Sequence, residues 1–285
     1  MLLAMLLFSM NDALGKWLVA TYTVAQILFI RSIGGLTMLS PFVARTGVKS
    51  FREAPRPLLQ VLRVVLATGE TALFYVAVSY MPLADAMTFY LAGPIYVTAL
   101  SAPLLREHVG VYRWSAVLVG FAGVVIALDP TGEFVGKGAA IALVGSFCYA
   151  LLMVVTRKLR DTNSIVMAST QMMSSLLFGG VGIAFGWSPV TLPDLVLLLL
   201  LGVVAVGALM CVNQSLRLAP ASVVVPYQYS LIVWAVIFGY FVFGDVPKPH
   251  TLVGAAIIVA SGLFIFLREQ RLRIPSAEEP ALAER

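Results

Sequence analysis

The chain is short of charge. Only 12% of its 285 residues are Asp, Glu, Lys or Arg, about half the roughly 25% of soluble domains. Too little polar material is present to cover a water-facing surface. Hydrophobic residues make up 60% of the chain, and mean hydropathy is +0.95. An ordinary soluble domain is excluded, and lipid is the expected solvent for most of the surface. Cysteine is nearly absent. Cys148 and Cys211 both fall in apolar runs, which excludes a disulfide framework and fits small buried hydrophobes. Histidine is as scarce, and His108 and His250 are expected near opposite membrane faces, too far apart to share a metal. No H-E-x-x-H or paired C-x-x-C motif occurs, and the stretch from Gly132 to Lys137 lacks P-loop spacing. No cofactor, metal or catalytic set is expected. An enzyme would have to use Asp12 and Glu70 as an intramembrane acid and base.

What is present is a succession of long apolar runs. Ten can span a membrane, each near the roughly 20 residues required: 2–20, 24–44, 58–79, 85–105, 112–128, 138–156, 164–186, 195–216, 221–243 and 251–267. The runs are too long for barrel strands. The first lacks a basic n-region and a cleavage site, so it reads as a spanning helix and not a signal peptide. It opens so abruptly that a few native residues are expected to precede Met1. Residues 268–285 are charged and contain proline, and are expected to form a disordered cytoplasmic tail.

The net charge of +5 would invite a nucleic-acid reading in a soluble protein. Here the bases cluster in alternate loops: Arg45, Lys49, Arg52 and Arg56; Arg106 and Arg113; Arg157, Lys158 and Arg160; Arg217; then Arg268, Arg271 and Arg273. The intervening loops carry Asp85, Asp129, Glu133, Asp194 and Asp245 without a basic excess. The positive-inside rule then places both termini in the cytoplasm. No nucleic-acid partner is expected.

The chain repeats itself. The segment from Tyr80 matches that from Leu218, with Pro82 opposite Pro220 and Glu107 opposite Asp245, each pair 138 residues apart. A small-residue helix follows each acid, with Gly120 and Gly123 in one and Gly254 and Gly262 in the other. Residues 1–130 and 131–267 thus form two units of five helices each. Five is odd, so the second unit enters the membrane from the opposite side. An all-α integral membrane protein of ten helices in two inverted-topology repeats follows, an architecture that binds solutes near the midplane.

These residues resemble the EamA-type repeat of the drug/metabolite transporter superfamily. The stretch from Met10 to Trp17 is similar to the first helix of its bacterial branch, which includes amino-acid exporters. The resemblance covers nearly the whole chain, twice. It implies a carrier in a bacterial inner membrane with a cavity lined by helices one to four and six to nine. Amino-acid export is the expectation. Uptake of a larger metabolite, such as riboflavin or S-adenosylmethionine, is the alternative. The expected partners are a small-molecule solute and the bilayer, with the protein a monomer or homodimer.

Ionisable side chains inside a membrane are costly and face a cavity or a partner. Asp12 and Lys16 lie one turn apart on one face of the first helix, Arg31 lies in the second and Glu70 in the third. Lys16 could pair with Glu70 and Asp12 with Arg31, as a structural network or as the polar wall of a site for a zwitterionic or carboxylate solute; alternatively, Asp12 or Glu70 couples transport to protons. Arg63 is expected to snorkel to the cytoplasmic interface. A polar-aromatic set completes the candidates: Asn11, Tyr75, Tyr90 and Tyr96 in the first unit, Tyr149, Asn213, Tyr227, Gln228 and Tyr229 in the second. Aromatic walls with a few polar groups suit a flat or aromatic solute.

Overall fold

The structure is a computed structural model that describes residues 1–93, 95–97, 99–100, 111–128, 136–159, 161–218 and 225–273. Among these, every regular element is helical. In chain order they are α1 (Leu2–Val19), α2 (Val24–Arg52), α3 (Pro57–Val78), α4 (Leu83–Leu91), α5 (Val111–Leu128), α6 (Lys137–Lys158), α7 (Ser164–Gly182), α8 (Leu192–Leu218), α9 (Ser230–Phe243) and α10 (Pro249–Arg273). Single 3-10 turns follow α7, at Ile183–Phe185, and precede α9, at Val225–Tyr229. Seven helices are long and apolar enough to cross a membrane, and α5 and α9 contain the shorter apolar stretches Trp114–Ala127 and Tyr227–Phe243. Pro94, Glu107, His108, Pro220 and the side chains of Asn213 and Pro226 lie outside the described residues.

Local chemistry sets the helix ends. Thr23 caps α2 by accepting from the Gln26 N–H, and Asn163 caps α7 by accepting from the Ile165 N–H at 2.8 Å. Pro57 opens α3 where its missing N–H is harmless. The second helix outruns its apolar span: beyond Gly47, at φ 76°, a polar turn continues to Arg52. The last helix likewise continues through Arg273, into the region expected to be a disordered tail. The residues from Leu267 to Arg273 are good helix formers, and nothing there breaks the backbone ladder.

Most of the packing joins α1–α5 to α6–α10. Helix α2 lies against α7 and α8, α3 against α6, α1 against α8 and α9, α4 against α6 and α9, and α5 against α10. Small residues permit the closest crossings. A Cβ on Gly202 would run into the Arg31 carbonyl, and one on Gly34 into the Leu199 carbonyl. At the α5–α10 crossing, a Cβ on Gly254 would lie 2.6 Å from the Gly123 carbonyl oxygen, and the Ser261 hydroxyl donates to the Ala116 carbonyl. Lipid tails are as apolar as leucine, so close van der Waals packing and interhelical hydrogen bonds must hold such helices together.

Two main apolar clusters result. One gathers Leu18, Ile27, Leu28, Phe74, Tyr75, Leu198 and Leu201 around α1, α2, α3 and α8. The other gathers Phe89, Ile95, Tyr96, Val117, Val124 and Ile258 around α4, α5 and α10. Polar bonds tie the helix ends. The Tyr22 hydroxyl donates to Asp194 at 2.6 Å, joining the α1–α2 corner to the first turn of α8. The Gln60 amide donates to the Thr162 hydroxyl at 2.9 Å, joining the first turn of α3 to the α6–α7 corner.

Candidate functional site

The charged candidates of the first three helices meet inside the bundle. Arg31 is buried, and its guanidinium donates to the Tyr75 hydroxyl at 2.8 Å while lying 5.6 Å from that ring's centroid. Asp12 and Glu70 are half-buried and lie within Coulombic reach of each other and of Arg31. Glu70 accepts from its neighbour Thr71 at 3.2 Å. Among the described residues, no cation forms an ion pair with either carboxylate. A charge withdrawn from water without a partner is expensive, so these two carboxylates are the costliest groups the bundle carries in its interior.

Aromatic rings form the next wall. Tyr90 reaches the Glu70 carbonyl at 3.4 Å and meets Phe74 edge-on, with centroids 5.4 Å apart. Tyr149, from α6, lies 6.1 Å from Tyr90 and within reach of the Glu70 charge. Glycines admit these rings: Tyr75 fills the space a Cβ on Gly15 would need, and Tyr149 lies 3.0 Å from where a Cβ on Gly93 would stand. Four helices of the first half and one of the second thus enclose Asp12, Arg31, Glu70, Tyr75, Tyr90 and Tyr149. Cys148 is half-buried and also feels Glu70.

Other candidates lie elsewhere. Lys16 pairs with Asp245, 229 positions away, and not with Glu70. Asn11 is buried and donates to the Leu201 carbonyl at 2.6 Å, pinning α1 to α8. Tyr96 is buried against Phe121 and Phe147, on the α5 side. Tyr229 turns its hydroxyl toward Gly262 of α10. Tyr227 is 46% exposed, and Gln228 follows it in the same 3-10 turn. Arg63 does not snorkel. It is buried between α3 and α7, donating to the Met167 carbonyl at 3.0 Å and to the Gln171 side-chain oxygen at 3.3 Å. Those acceptors, which no property of the α3 sequence announces, replace the water it would otherwise seek.

Phe74 and Asp245 are neighbours of the candidates that no sequence pattern marks. Phe74 adjoins Tyr75 and looks like plain core, whereas Asp245 sits in a loop. Among the described residues, no three His, Cys, Asp or Glu gather into a metal-binding group. A groove of about 760 Å³ opens between α2, α3 and α7, lined by Val61, Leu177, Phe178 and Phe185 among others, with no ionisable side chain. None of the residues of the charged cluster lines it.

A bundle of long apolar helices around an interior patch of ionisable and aromatic side chains is the fold of a multi-pass membrane protein. The chain belongs to the EamA-like transporter family, whose model matches residues 1–128 and 136–267. It is 29% identical over 274 residues to an S-adenosylmethionine uptake transporter of Rickettsia bellii, covering 95% of this chain and 93% of that protein. It is 26% identical to a riboflavin transporter of Rhizobium johnstonii, covering 95% of this chain and 91% of that protein. A solved crystal structure superposes with a TM-score of 0.60 at 19% identity, covering 95% of this chain and 99% of that one, and supports the fold alone.

Proposed function

We propose that the protein is a secondary carrier that takes up a metabolite bearing both a cationic group and an aromatic ring, by alternating access. The observation that carries this reading is the interior pair Asp12 and Glu70, with no cation paired to either among the described residues, beside a wall of tyrosines. S-adenosylmethionine has the complementary chemistry: a sulfonium, an α-ammonium, a carboxylate and a flat adenine. The carboxylates would take the cations, Arg31 the carboxylate, and Tyr90 and Tyr149 the ring, by cation–π and stacking contacts. Uptake of such a compound fits the named relatives better than amino-acid export. A riboflavin-like solute is the second reading, favoured by the tyrosines but leaving the two carboxylates without a role.

The carrier is read as ten spanning helices in two inverted repeats within a bacterial inner membrane, both termini cytoplasmic. Paired contacts support the repeat. Gly123 meets Gly254 and Ala116 meets Ser261, and these contacts interchange when each residue is moved by 138 positions. The N-caps Thr23 and Asn163 lie 140 positions apart, and the corners they begin bond to α8 and α3 respectively. The test is uptake of radiolabelled S-adenosylmethionine and riboflavin into proteoliposomes. Saturable flux of S-adenosylmethionine is expected. Flux of riboflavin alone selects the second reading, and flux of neither refutes both.

A further inference from the structure

We propose that Lys16 and Asp245 form an ionic latch that closes access to the Asp12–Glu70 cluster at the end where α1 finishes and α10 begins. The latch goes beyond the carrier reading and rests on it.

Asp245 is held in place by local backbone geometry. Gly244 ends α9 in the left-handed region at φ 69°, which glycine adopts without a side-chain clash. The chain then doubles back, and the N–H groups of Gly244 and Asp245 donate to the Tyr240 and Gly239 carbonyls, each at 3.0 Å. This turn presents the Asp245 carboxylate to the last turn of α1, where Lys16 donates to it. Lys16 Nζ also lies 4.5 Å from the centroid of the Phe243 ring, and Trp17 packs on the same ring with centroids 6.5 Å apart. One charge of α1 is thus bound to both sides of the α9 terminus, across the chain's two halves.

Position gives the contact its consequence. Asp12 lies one turn before Lys16 on the same face of α1, about 6 Å lower along the axis. In the carrier reading, a solute leaving the Asp12–Glu70 cluster toward this end passes the pair. The side chains are 13% and 27% exposed, so each regains water when they part. A buried pair would strand both charges on opening. Asp85, Lys248, His250 and Thr251 share this end, and Asp85 interacts with all three of the latter as well as with Asp245. The latch therefore sits at a polar mouth.

The test uses Cys148 as a reporter, because it is half-buried in α6 and within reach of the Glu70 charge. Changing the other thiol, Cys211→Ser, leaves it as the sole cysteine of the chain. The protein is reconstituted in sealed vesicles, and a membrane-impermeant thiol reagent is added on the side bearing the α9–α10 corner. Lys16→Gln and Asp245→Asn are each expected to raise the Cys148 labelling rate about fivefold, the shift that loss of a partly exposed ion pair allows. Asp245→Glu keeps the charge and is expected to label at the parent rate. The exchange Lys16→Asp with Asp245→Lys is expected to return the rate toward the parent's. Parental labelling in folded Lys16→Gln or Asp245→Asn protein overturns the latch, as does an exchange variant that labels as fast as the single ones. Latch-dependent labelling without flux of any solute would sink the carrier reading and leave the latch. Flux with latch-independent labelling would do the reverse.

Discussion

The α5–α10 crossing and the α1–α3 wall are both interior, yet they solve opposite problems. At α5–α10, two glycines bring backbones into contact and a serine donates to a facing carbonyl. Every polar group named there has a partner within the protein, and the rest is close packing. Along α1–α3, by contrast, the chain carries two carboxylates and a guanidinium into the bundle and leaves the carboxylates without a paired cation among the described residues. A bilayer protein gains nothing in stability from such charges. The difference separates the region that holds the helices together from the one proposed to bind the solute.

That contrast can be broken by substitution. The largest effect is expected at the α2–α8 crossing, which belongs with the holding regions. Gly202→Val places a branched side chain where the Arg31 carbonyl already stands. A cost above about 3 kcal/mol is expected where backbone must move, read as loss of the monodisperse peak in size-exclusion chromatography. A normal elution profile would mean the helices can part freely. Gly254→Ala adds one methyl against the Gly123 carbonyl and Ala127. It is expected to lower stability by about 1–3 kcal/mol, seen as a fall in thermal midpoint with solute affinity unchanged. A loss of affinity without a fall in midpoint would place α5–α10 in the binding apparatus. Tyr75→Phe removes the hydroxyl that Arg31 donates to and frees the guanidinium. A loss of about 1 kcal/mol is expected for the deleted hydrogen bond. It should weaken solute binding several-fold through Arg31's lost orientation, with a small fall in the thermal midpoint.

Much of this architecture is legible in the sequence because the bilayer imposes one rule: each crossing needs a long apolar run. The starts of α2, α3, α6 and α7 fall within a residue of the runs that mark them. Helix ends outside hydrocarbon are harder to read. The polar turn of α2 beyond the Gly47 kink and the extension of α10 to Arg273 lie past the apolar runs, so hydropathy does not mark them. The charged residues of the site are visible for their rarity, and Asp12, Arg31 and Glu70 do gather. Their partners are not legible. Lys16 finds Asp245 because α1 packs on α9, and Arg63 finds Met167 and Gln171 because α3 packs on α7. Such choices depend on how the two halves interlock, which no local pattern encodes. Tyr90 and Tyr96 stand six positions apart with similar surroundings in sequence, yet Tyr96 meets Phe121 of α5 and Tyr90 meets Glu70.

The interior carboxylates are the groups proposed to bind a cationic solute. Isothermal titration of purified protein with S-adenosylmethionine tests this most directly, comparing the parent with Asp12→Asn and Glu70→Gln. Each substitution keeps shape and removes a charge. Saturable binding by the parent and at least about tenfold weaker binding by both variants, or about 1.4 kcal/mol, is the expected result. Equal affinity in parent and variants, with all three folded, would contradict it.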